Sequence, residues 1–136
     1  MDIRICIDVN DIEQAIAFYT GALGLHTGRR FKNNFVELLG ASSPIDLLLN
    51  APGTSPVAGD RTTRNYQRHW TPVHLDFVVN DMEAAVVRLQ KHGATLEMPI
   101  TERAWGRIAG LRDPFGHGLD LLEFRGRGYD ELLQPH

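Results

Sequence analysis

HLDFVVND, residues 74–81, is the stretch that decides the fold of this chain. It is mostly apolar and rich in β-branched residues, which is typical of a strand. It ends in Asn80 and Asp81, which are good helix N-cap residues, and residues 82–92 then place apolar side chains at helical spacing. The sequence therefore predicts a strand that leads directly into a helix, with His74 at the head of the strand.

The same pattern occurs once before, near the N-terminus. Residues 9–13 read VNDIE and residues 79–83 read VNDME, so the two copies start 70 positions apart (79 minus 9). In each half we predict the order strand, helix and three strands. Alternating apolar residues and turn signals place the predicted strands at 3–9, 27–31, 34–39 and 45–49 in the first half, and at 74–79, 95–98, 106–112 and 118–124 in the second. The chain is therefore interpreted as an internal duplication of a βαβββ unit.

Neither βαβββ unit can cover both faces of its own sheet, so the two are expected to pack together. We predict one α+β domain over 1–136, in which two tandem βαβββ modules form curved mixed sheets around a shared cleft. The first module spans about 1–50 and the second about 73–125, and 126–136 is a C-terminal tail. The segment at about 51–72 has no clear period, and two interpretations stay open. It is either a solvated connector, which is favoured, or a lid over a pocket.

Composition excludes several classes of function. The chain has 136 residues, 43% of them hydrophobic and 23% charged, and a net charge of −3. These values indicate an ordinary globular protein and argue against nucleic acid or a membrane surface as its main partner. The single Cys6 excludes an internal disulfide, and no signal-peptide or membrane-spanning pattern is present. We therefore expect a cytoplasmic protein.

Charged side chains recur at equivalent places in the two predicted modules. Period-two alternation sets Arg4, and likewise His74 and Asp76, on the face opposite the apolar face that each helix covers. Asp46 and Asp120 each interrupt the otherwise apolar last strand of their module. A buried carboxylate is costly unless it finds a cation, a metal or several donors. This repetition is the strongest functional signal in the chain.

At this point a resemblance becomes plain. The chain resembles the glyoxalase / bleomycin-resistance / dioxygenase family, the vicinal oxygen chelate superfamily, over its full length. The motifs that carry the resemblance are Asp11-Ile12-Glu13 leading to Phe18-Tyr19 and Leu23-Gly24-Leu25, His74 with Asn80-Asp81 and Gly93-Ala94, and Trp105-Gly106-Arg107 leading to Arg112-Asp113-Pro114-Phe115-Gly116-His117 and Asp120. The resemblance is specific for the fold and not for the activity.

The resemblance also implies where a metal would lie. Metal-binding members carry ligands on the first and last strand of each half, usually His and Glu, and these places correspond here to Arg4, Asp46, His74 and Asp120. Only His74 keeps the usual residue. Arg4 is a departure because a guanidinium cannot ligate a metal. A metal-free site is favoured, and the alternative is a weakly held divalent ion on His74, Asp46 and Asp120.

The first hypothesis for function is a glyoxalase-like enzyme that promotes proton transfer, of the lyase or isomerase kind, next to an oxygen function of a small molecule. His74 acts as base or ligand, and Arg4 stabilises an oxyanion or holds a substrate carboxylate. Asp46 and Asp120 orient those two side chains. Further substrate-binding candidates are Asp76, Trp105 and Tyr66, with Tyr66 or Trp70 closing on a ligand in the lid interpretation.

Two alternatives stand beside this hypothesis. One is a non-catalytic drug- or metabolite-binding protein of the bleomycin-resistance type, which needs no metal and tolerates Arg4. The other is a ring-cleaving dioxygenase, which would need a histidine at position 4 to complete an iron site. In each case the expected partner is a small molecule, and the resemblance implies a homodimer.

Overall fold

The computed structural model describes residues 1–133 and divides into two compact units, Met1–Gln67 and Arg68–His136. The first unit contains β1 (Ile5–Val9), α1 (Ile12–Leu23), β2 (His26–Phe31), β3 (Phe35–Leu39) and β4 (Ile45–Leu49). The second unit contains β5 (Leu75–Val78), α2 (Met82–Lys91), β6 (Thr95–Arg103), β7 (Gly106–Arg112) and β8 (Gly118–Phe124), followed by a short 3-10 helix at Gly128–Leu132.

Each unit is built on a four-stranded mixed sheet. The strand order is β1-β4-β3-β2 in the first unit and β5-β8-β7-β6 in the second. The first and last strands of each unit pair in parallel, and the other pairs are antiparallel. The predicted α+β class with two tandem βαβββ modules is therefore confirmed.

One strand is longer than its sequence pattern indicates. The predicted strand ended at Met98, but β6 continues through Pro99 to Arg103. β6 lies at the edge of its sheet, and its pairing with β7 shifts register between Met98 and Thr101. Proline is tolerated at an edge or an irregularity because its missing N–H removes no essential ladder bond.

The two helices begin as the repeated VND phrase predicts. Asp11 accepts a hydrogen bond from the Gln14 backbone N–H at 3.0 Å, and Asp81 accepts one from Ala84 at 3.1 Å. These aspartates satisfy donors that the first helical turn would otherwise leave unpaired. None of the helices in residues 1–133 combines the length and the apolar character needed to cross a membrane.

A network of charged side chains ties α2 to its sheet. The buried Arg107 of β7 pairs with Glu83 of α2, and its Nε donates to Glu123 of β8 at 3.1 Å. Glu123 also accepts the Met82 backbone N–H, at the start of α2, at 2.8 Å. The pKa of Glu83 falls to about 2, first because of its hydrogen bonds with Arg107. The network thus fixes the helix N-terminus that follows the deciding stretch.

The segment after β4 has no helix or strand, yet it is anchored to the first unit. Arg64 Nε donates to Asp8 Oδ2 at 2.9 Å, and Asn50 Nδ2 donates to Asp8 Oδ1 at 2.8 Å. The Tyr66 hydroxyl donates to the Asn50 carbonyl at 2.6 Å. Burial, and then the charge of Asp8, raises the pKa of Tyr66. These contacts connect residues 50–67 to the carboxyl end of β1.

Arg64→Ala is expected to release this segment. The variant loses the charge-assisted hydrogen bond to Asp8, so residues 50–67 should detach from the first unit more often. Trypsin should then cut after Arg61 roughly tenfold faster. The matched control is Arg103→Ala, because Arg103 is exposed on β6 and bonds only the neighbouring Glu102 carbonyl among the described contacts. Equal cleavage rates in the two variants would show that Arg64 does not hold the segment.

Candidate functional site

Three ionisable side chains meet at one edge of the second unit. His74 directly precedes β5, Asp76 lies within β5, and Asp120 lies opposite Asp76 in β8. His74 Nδ1 is 3.0 Å from Asp76 Oδ1 and 3.8 Å from Asp120 Oδ2. Strand alternation sets the two carboxylates side by side on one face of the sheet, so the imidazole has two acidic neighbours.

The cluster contains two carboxylates and only one imidazole, so the negative charge of its carboxylates is not fully balanced within it. The pKa of Asp120 is raised, first by burial and then by the charge of Asp76, while His74 and Arg68 act in the opposite direction. A raised carboxyl pKa means that the ionised form is disfavoured and that the group attracts a proton or a cation. The arrangement is therefore suited to proton transfer or to cation binding.

The cluster opens onto a cavity of about 400 Å³ in the second unit. Among its lining residues, Arg68, Glu97 and Thr71 supply polar groups besides His74 and Asp120. Arg68 forms an ion pair with Glu97 at 3.0 Å. The cavity thus carries both hydrogen-bond donors and acceptors.

Apolar side chains and two glycines complete the wall. Met98, Leu111 and Leu119 line the cavity together with Gly110 and Gly118. A Cβ at Gly110 would lie 3.1 Å from the Met98 Cβ. The glycines therefore allow their neighbours, Met98 at Gly110 and Arg68 at Gly118, to pack directly against the strand backbone.

The equivalent place in the first unit has a different composition. Cys6 pairs with Asp46 between β1 and β4, as Asp76 pairs with Asp120 between β5 and β8. Arg4 donates to Asp46 twice, from Nε at 2.9 Å and from Nη2 at 2.7 Å. This bidentate pair neutralises the carboxylate, whereas the second unit places a second carboxylate in register with Asp120.

A further carboxylate completes this first-unit cluster. Glu37, only 4% exposed, accepts hydrogen bonds from Arg4 at 2.6 Å and from Arg29 Nη2 at 2.7 Å. These bonds, those from Arg29 first, lower its pKa to about 2. A Cβ at Gly28 would lie 2.7 Å from Glu37 Oε1, so the glycine makes room for the carboxylate. Two guanidinium groups thus balance two carboxylates, which favours a structural role for Arg4.

Stability is expected to fall with acid in a defined window. The pKa values of Glu37 and Glu83 are about 2 in the folded chain, against an ordinary value of 4.5. The unfolded chain therefore binds protons more readily, so the stabilisation is present above about pH 4.5 and is lost as the pH falls towards about 2. Urea unfolding followed by circular dichroism between pH 2 and 7 measures this slope.

Glu37→Gln should flatten that acid slope and lower the stability at pH 7. The matched control is Glu102→Gln, because the Glu102 side chain is 70% exposed and its ion pair with Arg125 is long at 3.4 Å. Such an exposed pair contributes little. An unchanged slope in Glu37→Gln would contradict the assignment of Glu37 as a stabilising carboxylate.

Of the aromatic residues predicted for the site, the structure brings one to the cavity and places two elsewhere. Trp105 packs against Phe124, with ring centroids 5.7 Å apart, and against Tyr129 at 5.2 Å. Trp105 is not among the residues that line the cavity in the described part of the chain, and Tyr66 belongs to the anchored segment of the first unit. Trp70 does line the cavity and is 81% exposed.

Sequence reasoning missed three residues that the structure brings to these clusters. Glu37, Arg29 and Glu97 received no role, because their contacts depend on strand register and on long side chains that cross neighbouring strands. The one available signal was Glu37 itself, a carboxylate between the apolar residues Val36 and Leu38. Such a residue predicts a buried partner.

The donors of the second unit fit a divalent ion. One ligand atom from each of His74, Asp76 and Asp120 lies within 4.8 Å of the others. Donors that surround one ion at about 2.0–2.2 Å are separated by at most about twice that distance, so the cluster needs only a small adjustment. In the first unit Asp46 is already saturated by Arg4. The second unit thus adds Asp76, for which no ligand role was predicted, and the assignment of Asp46 as a ligand stays a prediction.

A sequence profile of the family described as "Glyoxalase-like domain" matches residues 4–122. The chain therefore belongs to the glyoxalase-like domain family, within the vicinal oxygen chelate superfamily. Among curated proteins it is similar to the anthracycline biosynthesis protein DauV of Streptomyces sp. (strain C5), with 33% identity over 122 residues. That match covers 85% of this chain and 38% of DauV. The chain thus spans less than two-fifths of the length of the curated relatives it matches.

Two solved structures share the fold. A mutant of the fosfomycin resistance protein FosX from Listeria monocytogenes, complexed with Mn(II) and 1S,2S-dihydroxypropylphosphonic acid, has a TM-score of 0.71 at 18% identity, covering 98% of this chain and 95% of that one. TnmS3, an antibiotic binding protein from a Streptomyces species, has a TM-score of 0.61 at 21% identity, covering 92% and 96%. At these identities the likeness shows the fold alone.

Proposed function

We propose that the chain is a glyoxalase-like small-molecule enzyme that moves a proton next to a carbonyl or similar oxygen, with His74 as the base. The observation that carries this proposal is the position of the His74 imidazole on the cavity wall, 3.0 Å from the Asp76 carboxylate and 3.8 Å from that of Asp120, which also lines the cavity. A histidine oriented by a carboxylate is a common general base.

In the proposed reaction each group has a defined task. His74 Nδ1–H donates to Asp76, so Nε2 carries the lone pair and accepts a proton from a substrate carbon next to a carbonyl. The C–H electron pair forms the C=C bond of an enolate while the C=O π pair moves onto the oxygen, and the imidazolium that forms is stabilised by Asp76 and Asp120. Return of the proton to the same carbon gives exchange or epimerisation. In an α-hydroxyketone, its delivery to the former carbonyl carbon, with transfer of the neighbouring hydroxyl proton to the enolate oxygen, completes an isomerisation.

A divalent ion, when bound, would be held by His74, Asp76 and Asp120 and would polarise the substrate oxygen. The mutant FosX structure contains Mn(II), which makes manganese the first ion to test. In that case His74 serves as a ligand and not as a base. The two roles can be told apart by experiment, because a chelator should abolish the reaction when His74 is a metal ligand and leave it unchanged when His74 is the base.

The test is deuterium exchange in D₂O, followed by NMR, with a panel of α-hydroxyketones and aryl ketones. The proposal expects protein-dependent exchange at the carbon next to the carbonyl, and it expects exchange to persist in EDTA when His74 is the base. Exchange that requires added Mn(II) would assign His74 to the metal. Absence of exchange under both conditions, across the whole panel, would overturn the proposed reaction.

A second candidate function is binding without chemistry. It is favoured by the exposed Trp70 at the cavity, because an exposed indole offers a flat surface for an aromatic ligand. The similarity to DauV and to TnmS3 makes anthracyclines the first ligands to test. Calorimetric binding of an anthracycline that is recovered unchanged after long incubation would support this candidate, and absence of binding at millimolar protein would exclude it for that class.

A further inference from the structure

Arg68 presents unused hydrogen-bond donors to the cavity. Its Nε bonds both carboxylate oxygens of Glu97 at 3.0 Å, its Nη2 pairs with the same group at 3.0 Å, and its Nη1 donates to the His69 carbonyl. An arginine has five N–H groups. Within the described residues, these contacts use one N–H on each nitrogen, so one N–H on each terminal nitrogen is left for a ligand. Glu97 holds the guanidinium in place.

Gly118 sets the position of this guanidinium. A Cβ at Gly118 would lie 2.5 Å from Arg68 Nη2 and 2.9 Å from Arg68 Cζ, so the guanidinium occupies space that any side chain would need. Asp120 is two residues further along β8, on the same face of the strand. Two residues of strand span about 7 Å. The cavity thus offers donors at Arg68, which lies over Gly118, and an acceptor at Asp120, about 7 Å further along the strand from Gly118.

The wall of the cavity suits a flat apolar body. Trp70 is 81% exposed and lines the cavity together with Met98 and Leu119. An exposed indole loses water favourably when an aromatic ring stacks on it. A further negative charge is disfavoured, because the carboxylates of Asp120 and Glu97 already line the cavity and Asp76 lies in register with Asp120. A neutral ligand is therefore preferred over an anion.

We propose that this cavity binds a neutral, planar aromatic molecule that carries a carbonyl oxygen at one end, for Arg68, and a hydroxyl group at the opposite end, for Asp120. Trp70 stacks on its rings. This inference deepens the proposed function, on which it rests only in taking the same cavity as the site. It makes Arg68, Gly118 and Trp70 the residues that determine which ligand binds.

A matched series of naphthalenes tests separately the contributions of the ligand's carbonyl and hydroxyl groups to binding. The probes are 6-hydroxy-2-acetylnaphthalene, which has both groups, 2-acetylnaphthalene, which lacks the hydroxyl, and 2-naphthol, which lacks the carbonyl. Titration calorimetry should show binding of the first that is about 3–10-fold tighter than binding of either other compound, since each loses one hydrogen bond. Equal affinities across the series, or no binding of the first compound at millimolar concentration, would overturn the inference.

Variants locate the groups involved. Arg68→Met should remove the advantage of the hydroxyketone over 2-naphthol. Gly118→Ala should do the same while the charge of Arg68 is kept, because the new methyl group displaces the guanidinium. Arg103→Met is the matched control and should change nothing. An unchanged preference in both Arg68→Met and Gly118→Ala, with circular dichroism showing folded protein, would contradict the assignment of Arg68.

Tryptophan fluorescence shows which indole contacts the bound ligand. The chain has two tryptophans, Trp70 and Trp105. Ligand quenching should persist in Trp105→Phe and disappear in Trp70→Phe, and the reverse would overturn the role of Trp70. These binding results are independent of the deuterium-exchange assay. Exchange without the naphthalene preference would reject this inference alone, whereas the preference without exchange would reject the proposed reaction alone.

Discussion

His74→Ala is expected to lower the rate of ketone deuterium exchange by about 10²–10⁴-fold, the range that a positioned general base contributes. The variant loses the only imidazole among the residues that line the cavity in the described part of the chain. Asp76 and Asp120 remain, but the two carboxylates lack the oriented nitrogen that the proposed reaction requires. Exchange rates from NMR, at saturating ketone, measure the effect.

His92→Ala is the matched control for this variant. His92 lies in the same unit, is exposed at the end of α2, and contacts the Arg88 carbonyl through its ring at 2.8 Å. It does not line the cavity, so its loss should leave the exchange rate within about twofold of the wild type. An equal loss of exchange in both variants, or full exchange in His74→Ala, would contradict the role of His74.

Gly106→Ala is expected to have the largest effect on stability, about 4 kcal/mol or more, or to prevent folding. Gly106 begins β7 with a φ of 148°, which is strained for any other residue. A Cβ there would lie 2.0 Å from the Glu123 carbonyl oxygen and 3.0 Å from the Phe124 Cα. Both are backbone atoms of the paired strand β8, so only separation of the strands could relieve the contact.

Gly24→Ala separates the steric clash from backbone strain. Gly24 also has a positive φ, 68°, but no atom lies within 4 Å of the position that an added methyl group would take. Its substitution should cost about 1 kcal/mol, from conformational strain alone. Urea unfolding of the two variants gives the comparison. A similar loss of stability in both would show that the close approach of β7 and β8 is not what requires Gly106.

Most of the fold could be predicted because its signals are local. Alternation, the N-cap aspartates and the repeated VND phrase lie within short stretches, and they located both helices and all eight strands. The extension of β6 past Pro99 could not be predicted, because it depends on the position of the strand at the sheet edge.

The clusters were predictable only in part. Alternation placed Asp76 on the face opposite the helix, Asp120 was singled out because it interrupts an apolar strand, and the structure pairs the two. The fixed charge of Arg4 predicted a pairing with Asp46 or Asp120. The pairing of Arg4 with Asp46, the involvement of Glu37 and the position of Arg68 over Gly118 depend on which strands are neighbours and in which register. That information is not local in the sequence.

Equivalent carboxylates have opposite electrostatic surroundings in the two repeats. Asp46 is 4% exposed and is neutralised by two hydrogen bonds from Arg4, so it stabilises the first unit. Asp120 faces a second carboxylate, and its raised pKa means that its charge costs stability at neutral pH. Functional sites commonly retain such unfavourable groups because the chemistry needs them.

The most direct test compares the melting temperatures of Asp46→Asn and Asp120→Asn at pH 7. Asp46→Asn should lower the melting temperature by about 5 °C or more, because Arg4 loses its bidentate partner. Asp120→Asn should raise it by a few degrees, and this gain should vanish at a pH low enough to protonate Asp120 in the folded and the unfolded chain alike. Changes of the same sign in both variants at pH 7 would contradict the claim that the first repeat uses this position for stability and the second for function.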